Sequence, residues 1–387
     1  MSKPGAFDFG LDAEQERRAA ALHSESIVWD WLSQHVGGPN IFKAYPDGLQ
    51  SEFRELIAAA GSGMAAYAHA VRWPYRLAME GRSDLVKDWY FQSGMTVGTY
   101  SVAVYESGDP KWPALEAMFE ELFSLPWLRK VTEVEHARQC KRDGAIGLYA
   151  HWQPLSPAPR SLEALTQAYG RGLRSFMLTY NRMDNIGVGC TERFDGGLSN
   201  YGVDVVRHCN DLGLIVDTSH CGHMTTMDAC KFSKRPVNAN HTCAKAVYGV
   251  ARAKSDDALK AIADTGGVIG VVAVPFFLAK GRGTTIEAML DHIEYISQLV
   301  GWRHVGIGTD WPLQAPEEAL TQTMQNEFVE HGFQPGDIDV ADRLVGFDDY
   351  RDLPNITRGL VKRGFSDEQI KGILGENALR VFGEVCG

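Results

Sequence analysis

From about residue 144 onward, short β-rich runs alternate with helix-length segments, and this alternation most narrows the folds open to the chain. The runs occupy 145–149, 175–180, 214–218, 236–240, 267–272 and 304–308, with helical patterns at 161–172, 200–213 and 256–265 between them. Strands that are apolar almost throughout are buried on both faces, as happens when helices cover a parallel sheet. Two earlier segments, 26–30 and 95–104, read as further strands. Eight such units are the number that closes an α/β (βα)8 TIM barrel, here expected as a single domain spanning 1–387. An open doubly wound sheet is the alternative. No GxGxxG or GxxxxGK[ST] loop follows any of the strands, which weakens its nucleotide-binding form.

Two stretches interrupt the alternation. Residues 36–93 are helical in pattern and rich in aromatics, and residues 312–350 are acidic and irregular. Long insertions after barrel strands lie over the C-terminal face, so the first is expected as a lid and the second as a long loop shaping the pocket.

The chain has 387 residues, 44% of them hydrophobic, and a net charge of −11. That charge would repel nucleic acid and anionic membranes, so neither is expected as a partner. The first twenty residues have no apolar core of the kind a signal peptide needs, and no apolar run approaches the length of a membrane span. The seven cysteines are scattered without a CxxC pair, which suits reduced thiols and a cytoplasmic location. A homodimer is an assembly open to such a chain.

Three potential metal ligands follow three different strands. His220 comes after 214–218, His241 after 236–240, and Asp310 after 304–308. Barrel enzymes build their active sites from strand C-termini, and imidazole with carboxylate suits zinc, iron or manganese.

Around these residues the motifs Val216-Asp-Thr-Ser-His-Cys, Pro236-Val-Asn-Ala-Asn-His, Gly266-Gly-Val-Ile-Gly-Val and His304-Val-Gly-Ile-Gly-Thr-Asp-Trp resemble those of the membrane dipeptidase family. So do Gly197-Leu-Ser-Asn-Tyr-Gly and Gly375-Glu-Asn-Ala-Leu-Arg. That family belongs to the amidohydrolase superfamily of TIM barrels. The resemblance implies that His220 and His241 bind one metal, that Asp310 lies at a second, and that Arg252 holds the substrate carboxylate.

The same resemblance marks departures. The family's first-strand His-x-Asp pair is replaced by Leu32 and Gln34, its bridging glutamate by Tyr149, and a fourth-strand histidine by Tyr180. Leucine ligates nothing, so a standard two-zinc dipeptidase is not expected. A rebuilt site is expected instead, with Tyr149 as a phenolate and His151 and His35 as added imidazoles. Tyr180 joins Arg252 in contacting substrate, and Asp30 and Asp217 orient the ligands. Phenolate with imidazole and carboxylate suits iron. The pattern resembles a branch of the superfamily that includes a nonheme diiron monooxygenase of terpenoid antibiotic biosynthesis. The leading expectation is thus an oxygenase with two iron ions, in which Tyr149 and Asp310 take part in catalysis. It would oxidise a small apolar or aromatic molecule with O2. A divergent zinc hydrolase is the alternative, and an inactive barrel serving as a binding protein is a third.

Overall fold

The computed structural model describes residues 5–33, 38–60, 63–102, 112–154, 161–311 and 318–387. Its strands are β1 (Val97–Val102), β2 (Leu128–Lys130), β3 (Ile146–Trp152), β4 (Leu173–Met177), β5 (Ile215–Asp217), β6 (Val237–Thr242), β7 (Ile269–Val271) and β8 (Val305–Ile307). They pair in parallel in the order β1-β3-β4-β5-β6-β7-β8, while β2 lies outside this path against the first half of β3. The two edges of the sheet meet through residues 28–31. Trp29 bridges Val97 and Asp30 bridges Ile307, with Asp30 N–H donating to Val97 O and Trp31 N–H to Ile307 O. Counting that segment as a stave, eight parallel staves form the barrel.

The N-terminal mouth is plugged by aromatics. Trp29, Trp31 and Tyr149 pack together and against Phe382 of the C-terminal helix Asn377–Cys386, all of them fully buried. Outside, amphipathic helices cover the strands. Helix Asn200–Leu212 turns Val205, Val206 and Cys209 inward, is capped by the Ser199 hydroxyl, and ends at Gly213 in the left-handed conformation.

The segment at 36–93 contains helices Gly38–Ala44, Asp47–Ala58, Gly63–Met79 and Leu85–Ser93. Its aromatic side chains pack on one another: Phe42 stacks on Phe53 at 4.2 Å, and Trp73 lies 5.0 Å from Phe53 and 5.1 Å from Tyr45. They form a core for the insertion, which removes the reason for expecting an apolar substrate. The stretch at 312–350, expected as an irregular loop, contains the helix Glu318–Glu330. None of the described helices is long and apolar enough to cross a membrane.

Candidate metal centre

His220 and His241 come together at the C-terminal end of the barrel, with ring centroids 5.0 Å apart and both side chains buried. Two devices place them. The first is Asp217, at the end of β5. Its Oδ1 accepts from Ser219 N–H at 2.9 Å, Ser219 Oγ–H at 2.5 Å and Asn240 N–H at 2.9 Å. Ser219 Oγ in turn accepts from His241 N–H at 3.0 Å. One carboxylate oxygen thus clasps the loop before His220 to the strand that carries His241.

The second device is a bulge in β6. Ala239 pairs with Ile269 and Thr242 with Val271, so one extra residue is accommodated around Asn240 and His241. Bulges re-aim side chains next to active sites. This one is possible because Gly270 and Gly308 leave space for the Asn240 carbonyl. A Cβ on either would stand 1.9 Å and 1.8 Å from that oxygen, respectively.

His220 has a defined tautomer. Its Nδ1 lies 2.7 Å from Asn181 Oδ1, an atom that only accepts, so Nδ1 carries the proton and Nε2 presents a lone pair. The Gln153 carboxamide Nε2 faces that lone pair at 3.3 Å. Tyr180 stacks on the same ring at 4.0 Å. His241 has both ring nitrogens buried without a hydrogen-bond partner, which is costly unless a ligand satisfies them.

The surroundings are cationic. Arg252 and Lys254 are both buried. Arg252 donates through Nη1 to Ser219 O and through Nη2 to His241 O at 2.9 Å, leaving Nε without a partner. Lys254 Nζ donates to Cys221 O at 2.6 Å and Thr226 Oγ1 at 3.0 Å. Burial first, then the Arg252 charge, hold both imidazoles far below their ordinary pKa, so both are neutral and able to ligate. Arg252, expected as a substrate anchor, ties the backbone before His220 to the strand that carries His241.

Other expected ligands lie elsewhere. Tyr149 is a core phenol: its hydroxyl donates to Trp31 O inside the aromatic plug, and burial drives its pKa well above the usual value. A phenolate there would have to form in a low-dielectric interior while giving up that bond. Phenylalanine at 149 should leave metal binding unchanged and cost about 1 kcal/mol of stability, because the Trp31 carbonyl loses its donor. Urea unfolding with metal analysis checks this, and loss of metal would return Tyr149 to the site. His151 is fully buried, with Nδ1 3.1 Å from Ser175 Oγ and Nε2 3.5 Å from Asp217 Oδ2. His35 and Gln34 lie outside the described residues. Asp310 lies three residues beyond the end of β8, with φ 49° and its N–H on Leu32 O at 2.8 Å. Among the described residues, no three His, Cys, Asp or Glu side chains form a group that could hold a metal, so Asp310 is not gathered with the two histidines.

The Asp30 carboxylate, expected to orient the ligands, accepts from Thr309 Oγ1–H at 2.5 Å and Tyr350 O–H at 2.9 Å. Gln153 and Asn181 were not among the sequence candidates. Tyr149, His151 and Gln153 follow the two-residue period of a strand, and continuing that period past the end of β3 would have pointed to Gln153.

The donor set fits one metal ion better than two. The orphaned nitrogens of His241 stand beside the His220 ring, with centroids 5.0 Å apart, whereas the second cluster of ligands that the resemblance implies is replaced by Leu32 and the core phenol of Tyr149.

Comparison with known proteins agrees with this architecture. The model for "Membrane dipeptidase (Peptidase family M19)" matches residues 121–325 and 334–386, about two thirds of the chain. A Schizosaccharomyces pombe protein, described as an uncharacterized dipeptidase, is 30% identical over 250 residues, covering 62% of this chain and 54% of its own length. The chain thus spans about half the length of that curated relative. The crystal structure of an amidohydrolase from Pseudomonas aeruginosa aligns with a TM-score of 0.73 at 25% identity, covering 95% of this chain and 99% of that one. A metallo peptidase from Rhodobacter sphaeroides, solved with a phosphinate mimic of the dipeptide L-Ala-D-Ala, shares the fold at TM-score 0.66 and 18% identity, over 93% of this chain and 100% of its own. None of these relatives is described as an oxygenase, and the phenolate on which the iron reading depended is a buried phenol. The chain belongs to the membrane dipeptidase family, Peptidase family M19.

Proposed function

We propose that this protein is a zinc-dependent hydrolase of the M19 type, cleaving an amide bond in a small carboxylate-bearing substrate such as a dipeptide or an acyl-amino acid. The observation that carries the reading is the pair of unpartnered, buried nitrogens on His241 beside the oriented lone pair of His220. Neutral imidazoles suit zinc, and without a phenolate at the site nothing favours iron. When bound, the metal supplies Lewis-acid polarisation of the scissile carbonyl and lowers the pKa of water.

The chain's own residues do the rest. Asn181 fixes His220 in the ligating tautomer, as partners of ligating histidines commonly do. Arg252 and Lys254 supply a positive field that attracts a substrate carboxylate and offsets negative charge developing on the carbonyl oxygen. Tyr180 closes one side of the His220 ring. Water adds to the carbonyl carbon, the C–N bond breaks, and an amine and a carboxylate leave.

Replacing His241 with alanine should remove zinc from the purified protein and lower hydrolysis of dipeptides at least a hundredfold, with the far-UV circular dichroism unchanged. Iron in place of zinc together with substrate-dependent O2 uptake would sink the reading, as would full zinc content in the variant.

A further inference from the structure

Two imidazoles are one short of the three protein ligands that catalytic zinc sites ordinarily use. The missing donor is not a His, Cys, Asp or Glu among the described residues. Resting on the one-metal reading above, we propose that Gln153 is the third ligand, through its carboxamide oxygen, so that His220, His241 and Gln153 form a metal site whose protein ligands carry no charge.

Three observations meet here. Gln153 is 5% exposed and stands directly after β3, on the barrel side shared by His151. Its carboxamide is the group facing the ligating nitrogen of His220, at 3.3 Å. His241, whose ring centroid lies 5.0 Å from that of His220, has two buried nitrogens with no partner. The carboxamide donates N–H to the His220 lone pair. Half a turn about its terminal bond puts the oxygen where the nitrogen now stands, at no steric cost, because the two groups are nearly the same size. Gln153 is thus a placeholder for the metal in one orientation and a ligand in the other. A glutamate at 153 could not play the first part, since a carboxylate has no proton to give to His220.

The uncharged ligand set would also favour one metal ion over two. A carboxylate can bridge two cations and offset their repulsion, whereas a carboxamide oxygen offers no charge to do so. Arg252 and Lys254 already raise the local potential, so a second dication would meet three positive centres.

The test is zinc affinity of the full chain, stripped with chelator and titrated against a chromogenic competitor, with cobalt(II) absorption reporting the ligand field. Gln153→Glu should tighten zinc at least tenfold and shift the cobalt bands. Gln153→Ala should weaken zinc at least tenfold at unchanged one-to-one stoichiometry, and Tyr149→Phe should stay within twofold of wild type. Gln153→Glu is nearly isosteric, which guards against misfolding as the cause. If both Gln153 variants bind zinc within twofold of wild type, Gln153 is not a ligand while the two-histidine site stands. If wild type binds no zinc, or His220→Ala binds it as well as wild type, the metal reading itself fails and this assignment with it.

Discussion

Gly308→Ala is expected to destabilise the protein by at least about 3 kcal/mol and to abolish the histidine pair as a metal site, although position 308 touches neither ring. The added methyl would stand 1.8 Å from Asn240 O, 2.9 Å from Asn240 C and 3.2 Å from His241 Cα. No side-chain rearrangement relieves this, because the opposing atoms are backbone. The Asn240–His241 peptide would have to retreat by more than an ångström. That movement breaks the bonds from Asn240 N–H to Asp217 and from His241 N–H to Ser219 that hold the bulge in place. Gly170→Ala is the control. It lies in helix Leu162–Gly170 with nothing within 4 Å of an added Cβ, so it should be neutral or mildly stabilising. Urea unfolding and zinc titration read both effects. A Gly308→Ala protein within 1 kcal/mol of wild type would show that the β6 bulge is softer than its packing implies.

The second large effect concerns acid. His292 is buried in helix Ile286–Val300, where Nδ1 accepts from Ala244 N–H at 3.0 Å and Nε2 lies 3.2 Å from Leu278 O. The bond from Ala244 N–H needs a neutral Nδ1, and burial pulls the ring's pKa down to about 4. The unfolded chain takes up this proton near pH 6.5, the folded protein only near 4. Between those values the unfolded state binds more protons, so the His292 contribution is complete above pH 6.5 and is lost as pH falls toward 4. The loss amounts to about 3 kcal/mol. Asp352, raised to about 6 by burial, acts in the opposite direction over part of this window. The clean comparison is therefore with His292→Gln, whose carboxamide can accept and donate to the same two groups without titrating. Between pH 7 and 4 the wild type should lose about 3 kcal/mol more than the variant. Parallel stability curves would refute the assignment.

The barrel and the histidine pair were legible in the sequence because both rest on local pattern. Apolar runs announce buried strands, and a histidine just beyond such a run must stand at the strand's C-terminal end. The short strand at 128–130 was not legible, since three residues, two of them charged, carry no alternation to detect. The helix at 318–330 was missed for a related reason: Glu, Thr, Gln and Asn dominate it and leave little contrast between its faces. At the site, the substitution of Tyr149 for a carboxylate drew attention to a residue that the structure places in the aromatic plug. Which member of the series 149, 151, 153 reaches the metal level depends on how far β3 rises before it ends, and that height is set by its pairing with β1 and β4. Nor could sequence show that Arg252 spends two of its nitrogens on backbone carbonyls. That arrangement exists only once the loops after β5 and β6 lie side by side.

The way the barrel closes has a consequence for how the chain reaches its native state. The seam joins residues 28–31 to β1 on one side and to β8 on the other, and Asp30 is bonded to Thr309, 279 positions away. Contacts of such sequence separation form only after a large loop has been closed, and their conformational cost falls before any reward. The other staves can zip to their neighbours in chain order, one crossover at a time. The seam must wait for the last of them. Closure is therefore a late event, and until it happens the sheet has two open edges able to recruit a second chain. Residues near the N-terminus thus decide when the molecule becomes self-contained.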